Sequence, residues 1–173
     1  MSLKNILVVP GSLRANSSTH HIIRFLVNNS PANINLSVFD GTGSLPHFND
    51  EDTPPESVKA WRNQVRYASA ILFVTPEYAF GVPGTLKNAL DWLVGSGDIS
   101  GKPTGLITAA TGGEHAHNSL RSTLKALNAF TAENRLLLIP FIRSKMDNDG
   151  NVTDQASIDS LKQILGALAD AIN

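Results

Sequence analysis

The feature that most constrains the fold of this chain is a regular alternation of short apolar runs with segments of helical periodicity. Five apolar runs have the length of strands, and most are continuous, as is typical of parallel strands covered on both faces. The predicted strands are 6–9, 34–39, 70–74, 105–110 and 136–139, and the predicted helices are 19–28, 56–68, 84–94, 118–130 and 154–172.

This alternation predicts the topology as well as the elements. Strands that alternate with helices through short links form a parallel sheet with helices on both faces, and right-handed crossovers leave few possible arrangements. Five strands within 173 residues favour the order 2-1-3-4-5 over a six-stranded dinucleotide fold. We therefore expect residues 1–173 to form a single α/β domain, a flavodoxin-like three-layer α/β/α sandwich with a five-stranded parallel sheet.

Composition narrows the classes of function. The net charge is −1, which gives no electrostatic case for a nucleic-acid or membrane partner. The chain has no cysteine, which excludes disulfides, thiolate catalysis and cysteine-bound metals. The apolar run near the N-terminus, Ile6–Val9, is too short for a signal peptide or a membrane span, so we expect a cytoplasmic location.

Three loops of unusual composition follow the first, third and fourth predicted strands. In open α/β sheets of this order, ligands bind beyond the carboxyl ends of these strands. The first loop combines hydroxyl groups with a guanidinium before a helix, which is typical of an anion site. Its candidate ligands are Ser12, Arg14, Ser17, Ser18 and Thr19. A simple helix N-cap is the alternative, and the absence of a P-loop lysine favours a phosphate monoester over a nucleoside triphosphate.

The second loop lies in the sequence TPEYAFGVPGTLKNALDWL, which begins at the end of the third strand. Gly81 and Gly84 permit close backbone approach or unusual dihedral angles. Tyr78 and Phe80 offer flat surfaces to a ligand, although either ring could instead cover the core. For Glu77 the alternative role is capping of nearby N–H groups.

The third loop begins with Thr111, Gly112 and Gly113 directly after the fourth strand. Paired glycines let backbone N–H groups contact a flat polar edge, and a tight turn is the alternative. The histidines near these loops are His20, His21, His115 and His117. A metal site is not favoured because no carboxylate cluster accompanies them. A ligand with a phosphate at one end and a planar ring system at the other, a flavin or a nucleotide monophosphate, satisfies all three loops.

Four segments, collinear over residues 5–127, resemble the NADPH-dependent FMN reductase family, which includes chromate, quinone and azo-dye reductases. They are GSLRANSST, LPHFNDED, TPEYAFGVPGTLKNALDWL and TGGEHAHNSLRSTL. Two positions depart from the family pattern. Thr19 and Ala79 each stand where the family has asparagine. The second departure removes a side-chain amide next to the flavin.

The resemblance implies a role for each loop. Ser12, Arg14, Ser17, Ser18 and Thr19 would bind the FMN phosphate; Pro76, Glu77, Tyr78, Ala79, Phe80 and Gly81 would border the isoalloxazine and ribityl chain; and Thr111, Gly112 and Gly113 would meet the other ring edge. Backbone N–H groups of the second and third loops are candidates to stabilise negative charge on the reduced ring. No catalytic side chain and no metal are expected, because the flavin carries the chemistry.

The resemblance also implies the reaction and the partners. Hydride would pass from NADPH or NADH through FMN to a quinone, an azo compound, a metal oxyanion or free flavin, in two separate steps. A homodimer or homotetramer is implied, with helix 84–94 and loop 45–52 near the partner. A flavodoxin-type electron carrier is the alternative, although its usual strong negative charge is missing; a nucleotide-binding domain without redox turnover is a third. The sequence shows no arginine pair for a 2′-phosphate, so it does not decide between the two donors.

Overall fold

The computed structural model describes residues 3–172 and confirms the predicted sheet. All neighbouring strands are parallel, and their order is 2-1-3-4-5. The strands are β1 (Lys4–Pro10), β2 (Ile34–Val38), β3 (Ala70–Thr75), β4 (Thr104–Ala110) and β5 (Leu136–Pro140). The helices are α1 (Ser18–Asn28), α2 (Glu56–Tyr67), α3 (Gly84–Asp91), α4 (Glu114–Ala126) and α5 (Gln155–Asp170).

The centre of the sheet separates two apolar layers. All residues of β3 and β4 are buried, which explains why their sequences are continuous apolar runs rather than alternating ones. One layer packs α1 and α5 against the sheet, with Ile22 and Leu165 among its buried side chains. The other packs α2, α3 and α4 against the opposite face, with Trp61 and Leu90 fully buried. Full burial of one such side chain contributes about 1.5–3 kcal/mol.

The predicted range of the fourth helix, 118–130, is wrong at both ends. The helix begins at Glu114, because Gly113 adopts a left-handed conformation (φ 110°) and starts the helix directly after the strand. It ends at Ala126, and Asn128 (φ 55°) turns the chain away. Phe130 therefore lies outside the helix, where its ring packs under the Arg135 guanidinium at 4.5 Å.

Helix α3 is also shorter than its predicted range of 84–94. It ends at Asp91, and Val94 is 64% exposed instead of facing the core. The remaining helix and strand boundaries agree with the predicted ones within two residues. Within residues 3–172, no helix combines the length and the apolar character needed to cross a lipid bilayer.

The irregular segment after β2 is held in place by two side chains of the α3 region. The Asn88 amide oxygen accepts from the Phe48 N–H at 2.8 Å, and its NH2 donates to the Pro46 carbonyl at 2.9 Å. The Trp92 indole N–H donates to the same carbonyl at 2.9 Å, and the Phe48 ring meets the Trp92 ring edge-on. These contacts give the sequence KNALDW a structural reason for its asparagine and tryptophan.

We expect Asn88→Ala to destabilise the protein, because it leaves backbone groups of the 45–48 segment without their partners. Loss of such hydrogen bonds costs about 1–3 kcal/mol, and each kcal/mol lowers the Tm of a chain of this size by roughly 2–4 °C. Thermal and urea unfolding measure the effect. Asn118→Ala is the control, since Asn118 is exposed on α4; equal stability of the two variants would contradict the anchoring role.

Candidate functional site

The loops after β1, β3 and β4 meet in one cleft at the carboxyl edge of the sheet, as predicted. The cleft has a volume of about 110 Å³. Predicted residues that line it are Arg14, Ser17, Ser18, Thr19, Pro76, Glu77, Tyr78 and Thr111. Those that do not line it are Ser12, Ala79, Phe80, Gly81, Gly112 and Gly113, which lie in the same loops.

A fourth loop was missed by sequence reasoning. Ile142 and Arg143, which follow β5, also line the cleft. The available signal was their position directly after a strand of the same parallel sheet, because the carboxyl ends of parallel strands share one edge. The Phe141 N–H donates to the Thr111 carbonyl at 3.1 Å, which fixes this loop against the one after β4.

The chain turn after β1 depends on a glycine. The Gly11 N–H donates to the Val74 carbonyl at 2.7 Å, so the first loop passes directly over the end of β3. A Cβ at position 11 would lie 2.2 Å from the Thr75 hydroxyl oxygen and 2.7 Å from its Cβ. Any larger residue would push the first loop away from the β3 loop and widen the cleft.

The hydroxyl groups of the first loop divide into two kinds. Ser17 is the N-cap of α1, since its oxygen accepts from the His20 N–H at 3.3 Å and lies 3.0 Å from the His20 ring nitrogen Nδ1. The capping role considered for this loop is therefore real for Ser17. Ser12 is 1% exposed, and its oxygen lies 3.2 Å from the Tyr78 hydroxyl, which joins the first loop to the second.

Thr19 has the feature expected of an anion site. Its side chain lies in the first turn of α1 and is 1% exposed, yet its hydroxyl has no hydrogen-bond partner among residues 3–172. A buried hydroxyl without a partner costs free energy unless a ligand supplies one. Arg14 lines the same cleft and forms no ion pair within the described chain. Hydroxyl, guanidinium and helix N-terminus together fit a phosphate monoester.

Residues 78–81 form a tight turn of the kind called type I′. The Tyr78 N–H donates to the Gly81 carbonyl at 3.0 Å, and the Gly81 N–H donates to the Tyr78 carbonyl at 2.9 Å. The two central residues, Ala79 (φ 47°) and Phe80 (φ 58°), are both left-handed, as this turn requires. Gly81 and Gly84, for which close backbone approach or unusual dihedral angles were the two possibilities, have no positive φ; the left-handed residues of this loop are Ala79 and Phe80.

This geometry changes the interpretation of Ala79. Asparagine tolerates the left-handed conformation better than alanine, so the family's asparagine fits the turn as well as any contact with a ligand. The turn also holds Phe80 outward, with 77% of its surface exposed and its ring edge-on to His115 at 5.0 Å. The Tyr78 ring is 52% exposed and lines the cleft.

Glu77 connects the second loop to the third. One carboxylate oxygen accepts from the Gly113 N–H at 3.2 Å and the other accepts from the Ala116 N–H at 2.9 Å. The carboxylate thus caps α4, where the helix dipole favours a negative charge. The Gly113 N–H is therefore already engaged. The candidate donors to a ligand in this loop are the N–H groups of Thr111 and Gly112.

The histidines near the cleft have structural contacts. His117 is buried, and its ring nitrogen lies 3.0 Å from the Thr108 hydroxyl of β4. Burial, with a smaller contribution from Arg121, lowers the pKa of His117, which favours the neutral imidazole. Burial also lowers the pKa of His20. Among residues 3–172, no three histidine, aspartate or glutamate side chains come together as a metal site requires.

Comparison with known proteins gives the family of the chain. The family model described as NADPH-dependent FMN reductase matches residues 4–143. The chain belongs to the NADPH-dependent FMN reductase family. A quinone reductase of Pseudomonas putida strain KT2440 is 38% identical over 135 residues, which are 72% of this chain and 71% of the relative. An NAD(P)H-dependent FMN reductase of Pseudomonas aeruginosa is 30% identical over 94% of this chain and 92% of its own length.

A solved structure also matches nearly the whole chain. The flavoenzyme NAD(P)H:(acceptor) oxidoreductase FerB from Paracoccus denitrificans superposes with a TM-score of 0.79 at 27% identity, covering 98% of this chain and 97% of FerB. The resemblance to the FMN reductase family inferred from four sequence segments is therefore confirmed. The flavodoxin-like fold is confirmed with it.

The type I′ turn predicts that Ala79→Gly stabilises this FMN reductase family member. A left-handed alanine costs roughly 1–2 kcal/mol, of which part is returned by the greater freedom of glycine in the unfolded chain. We expect a net gain of up to about 1 kcal/mol, measured by thermal and urea unfolding. The control is Ala60→Gly, at an exposed position within α2, which should destabilise by about 1 kcal/mol; the same loss at position 79 would show that the turn is not strained.

The contact between Glu77 and α4 predicts that Glu77→Gln loosens the start of this helix. An amide can present only one acceptor oxygen to the two N–H groups, so about 1–3 kcal/mol of stability should be lost. Hydrogen exchange locates the effect: the Ala116 amide should exchange faster in the variant. Glu114→Gln makes the same charge change in the first turn of α4 without touching these bonds, and it should leave the Ala116 amide protected.

Proposed function

We propose that this protein is an FMN-dependent NAD(P)H oxidoreductase of one domain that passes electrons to a small organic or inorganic acceptor. One observation carries the proposal: the cleft joins the buried Thr19 hydroxyl, which has no partner among residues 3–172 and lies at a helix N-terminus, to the half-exposed ring of Tyr78. The exposed Phe80 ring follows in the same turn. The first end suits a phosphate and the second suits a planar ring. Membership of the NADPH-dependent FMN reductase family supports the same cofactor and donor class.

The chain's residues would bind and orient the cofactor. Thr19, Ser18 and Arg14 would hold the phosphate, with Ser12 behind them and Ser17 fixing the helix end. The wall formed by Pro76, Glu77, Tyr78, Ala79, Phe80 and Gly81 would border the ribityl chain and ring, and Thr111, Gly112 and Gly113 would border the opposite edge. The Ser12 contact with Tyr78 would hold the phosphate end and the ring end at a fixed separation.

FMN, when bound, supplies the two-electron chemistry of hydride acceptance and onward reduction. The protein's part is to position and to exclude water. The Glu77 carboxylate is engaged on both oxygens by backbone N–H groups, so we assign it a structural role and no proton transfer. The N–H groups of Thr111 and Gly112 are the donors we assign to the polar edge of the ring, where negative charge accumulates on reduction.

The acceptor is proposed from the form of the cleft mouth. Tyr78 and Phe80 expose 52% and 77% of their surfaces there, which favours stacking of a flat acceptor such as a quinone. Relatives of this chain carry the name quinone reductase. Azo compounds, metal oxyanions and free flavin are the other acceptor classes that we propose to test.

We also propose a homodimer or homotetramer located in the cytoplasm. Exposed apolar side chains on the α3 side support self-association: Phe48 is 41% exposed and Val94 is 64% exposed. Both residues lie near Trp92, which holds the 45–48 segment in place through its contacts with Pro46 and Phe48. A partner subunit that packed against them would therefore contact backbone that is already fixed.

The test of function follows the visible absorbance of FMN-loaded protein without oxygen, before and after one equivalent of NADPH or NADH. We expect rapid loss of the oxidised flavin bands and their return on addition of a quinone. Bound flavin that neither donor reduces would overturn the proposal in favour of an electron carrier. Failure to bind FMN at all would overturn the cofactor assignment.

The phosphate assignment has its own prediction. Thr19→Val removes the unpartnered hydroxyl and should weaken FMN binding roughly 10- to 150-fold, since hydrogen bonds to charged groups contribute about 1.5–3 kcal/mol. Thr42→Val is a matched control, because Thr42 is also 1% exposed and lacks a partner among residues 3–172 but does not line the cleft. Equal FMN dissociation constants for the two variants, measured by fluorescence titration, would contradict the assignment.

A further inference from the structure

A second cavity continues from the phosphate end of the cleft. Its volume is about 330 Å³, and it lies between the start of α1 and the loop after β5. Arg14, Ser18 and Arg143 line both cavities, so the two are neighbours across these side chains. Asn16, His21, Met146 and Asn148 line only the second. The residues assigned to the ring end, Pro76, Glu77 and Tyr78, line the first cavity and not the second, so the proposed ring site does not use this space.

The charges of the second cavity favour an anion. Arg14 and Arg143 line it, and neither forms an ion pair within residues 3–172. Because Arg14 is assigned to the FMN phosphate, Arg143 is the guanidinium that remains for a second anion. Asp147 is the negatively charged residue among those that line the cavity. Its carboxylate is engaged by the N–H groups of Asp149 and Asn151 and by the Asn151 amide, and these hydrogen bonds lower its pKa. The negative charge of Asp147 is thus stabilised by hydrogen bonds of its own loop, whereas Arg143 has no such charge partner.

The position of the cavity identifies the ligand. In a nicotinamide dinucleotide, one ribose separates the nicotinamide from the diphosphate, much as the ribityl chain separates the flavin ring from its phosphate. A nicotinamide placed against the flavin ring, with the donor running alongside FMN, therefore brings the diphosphate to the phosphate end. The adenosine then extends past it, into the space between Arg14 and Arg143.

We propose that this cavity binds the adenosine 2′-phosphate of NADPH and that Arg143 is the residue that selects NADPH over NADH. The inference rests on the proposed function, which supplies the donor. A guanidinium forms two parallel hydrogen bonds to phosphate oxygens and remains charged at all physiological pH values. The arginine pair is formed by two loops from distant parts of the sequence, which is why the sequence alone shows none.

The kinetic test compares Arg143→Met with a control, Lys162→Met. The control removes the same charge, and Lys162 is exposed on α5 and lines neither cavity. The quantity measured is the ratio of kcat/KM for NADPH to kcat/KM for NADH, with FMN saturating. Loss of a charge-assisted contact should lower this ratio roughly 10- to 100-fold in the Arg143 variant. The Lys162 variant should keep the ratio of the unmodified protein within about twofold.

Asn148→Asp provides a second variant, because Asn148 lines the second cavity and not the first. The added negative charge should lower the NADPH to NADH ratio severalfold while FMN titrations stay unchanged. A binding experiment that does not depend on turnover uses FMN-loaded protein and calorimetry. Adenosine 2′,5′-bisphosphate should bind more tightly than adenosine 5′-monophosphate, and Arg143→Met should remove the difference.

Several outcomes would overturn the subsite. Equal use of both donors, or a ratio that Arg143→Met does not change, would do so. FAD carries a second phosphate that FMN lacks. If a variant of the cavity lost affinity for FAD but kept its ratio of kcat/KM for NADPH to NADH, the cavity would be assigned to that phosphate, which also overturns the proposal. If neither donor reduces the flavin, the proposed function fails, and the bisphosphate titration alone then decides whether the cavity binds a 2′-phosphate.

Discussion

The structure depends on the burial of the two central strands between parallel neighbours. Every residue of β3 and β4 is buried, so their backbone groups must be satisfied by neighbouring strands, and these neighbours run parallel to them. Parallel pairing brings the carboxyl ends of β1, β3, β4 and β5 to one edge. The chain must change direction there four times in a small space, and the loops that make these turns form the cleft. The location of the site is therefore a consequence of how the core is built.

The cleft concentrates backbone strain. Four non-glycine residues among those described have positive φ, and three of them, Ala79, Phe80 and Phe141, lie in loops of the cleft. Each such residue costs roughly 1–2 kcal/mol, which the buried layers on both faces of the sheet offset. In return, the strained turns hold aromatic rings outward, with Phe80 77% and Phe141 63% exposed. The backbone strain and the exposed rings therefore occur in the same loops.

Sequence reasoning succeeded where the signal is local. The apolar runs gave the strands, the alternation gave the sheet order, and the loops after three strands were correctly expected to converge. It failed where a residue's role depends on a distant partner. The start of α4 depends on Gly113 and on the carboxylate of Glu77, and a leucine pattern contains neither. Arg143 joins the cleft only through folding, and the type I′ turn was hidden because Ala79 and Phe80 are not the usual residues for it.

The double contact of Glu77 with α4 has a consequence for how this protein could diversify. The carboxylate fastens the wall after β3 to the wall after β4, so the gap between them is set by the length of one side chain. A wider slot would require lifting the first turn of a helix whose other end is seated in the core at Leu120 and Leu124. A change of acceptor range is therefore easier at the outer edge of the slot, where Phe80 is 77% exposed and its ring contacts only that of His115 among the aromatic rings of the described residues. The inner slot therefore has a fixed width, whereas the residues at its outer edge can vary.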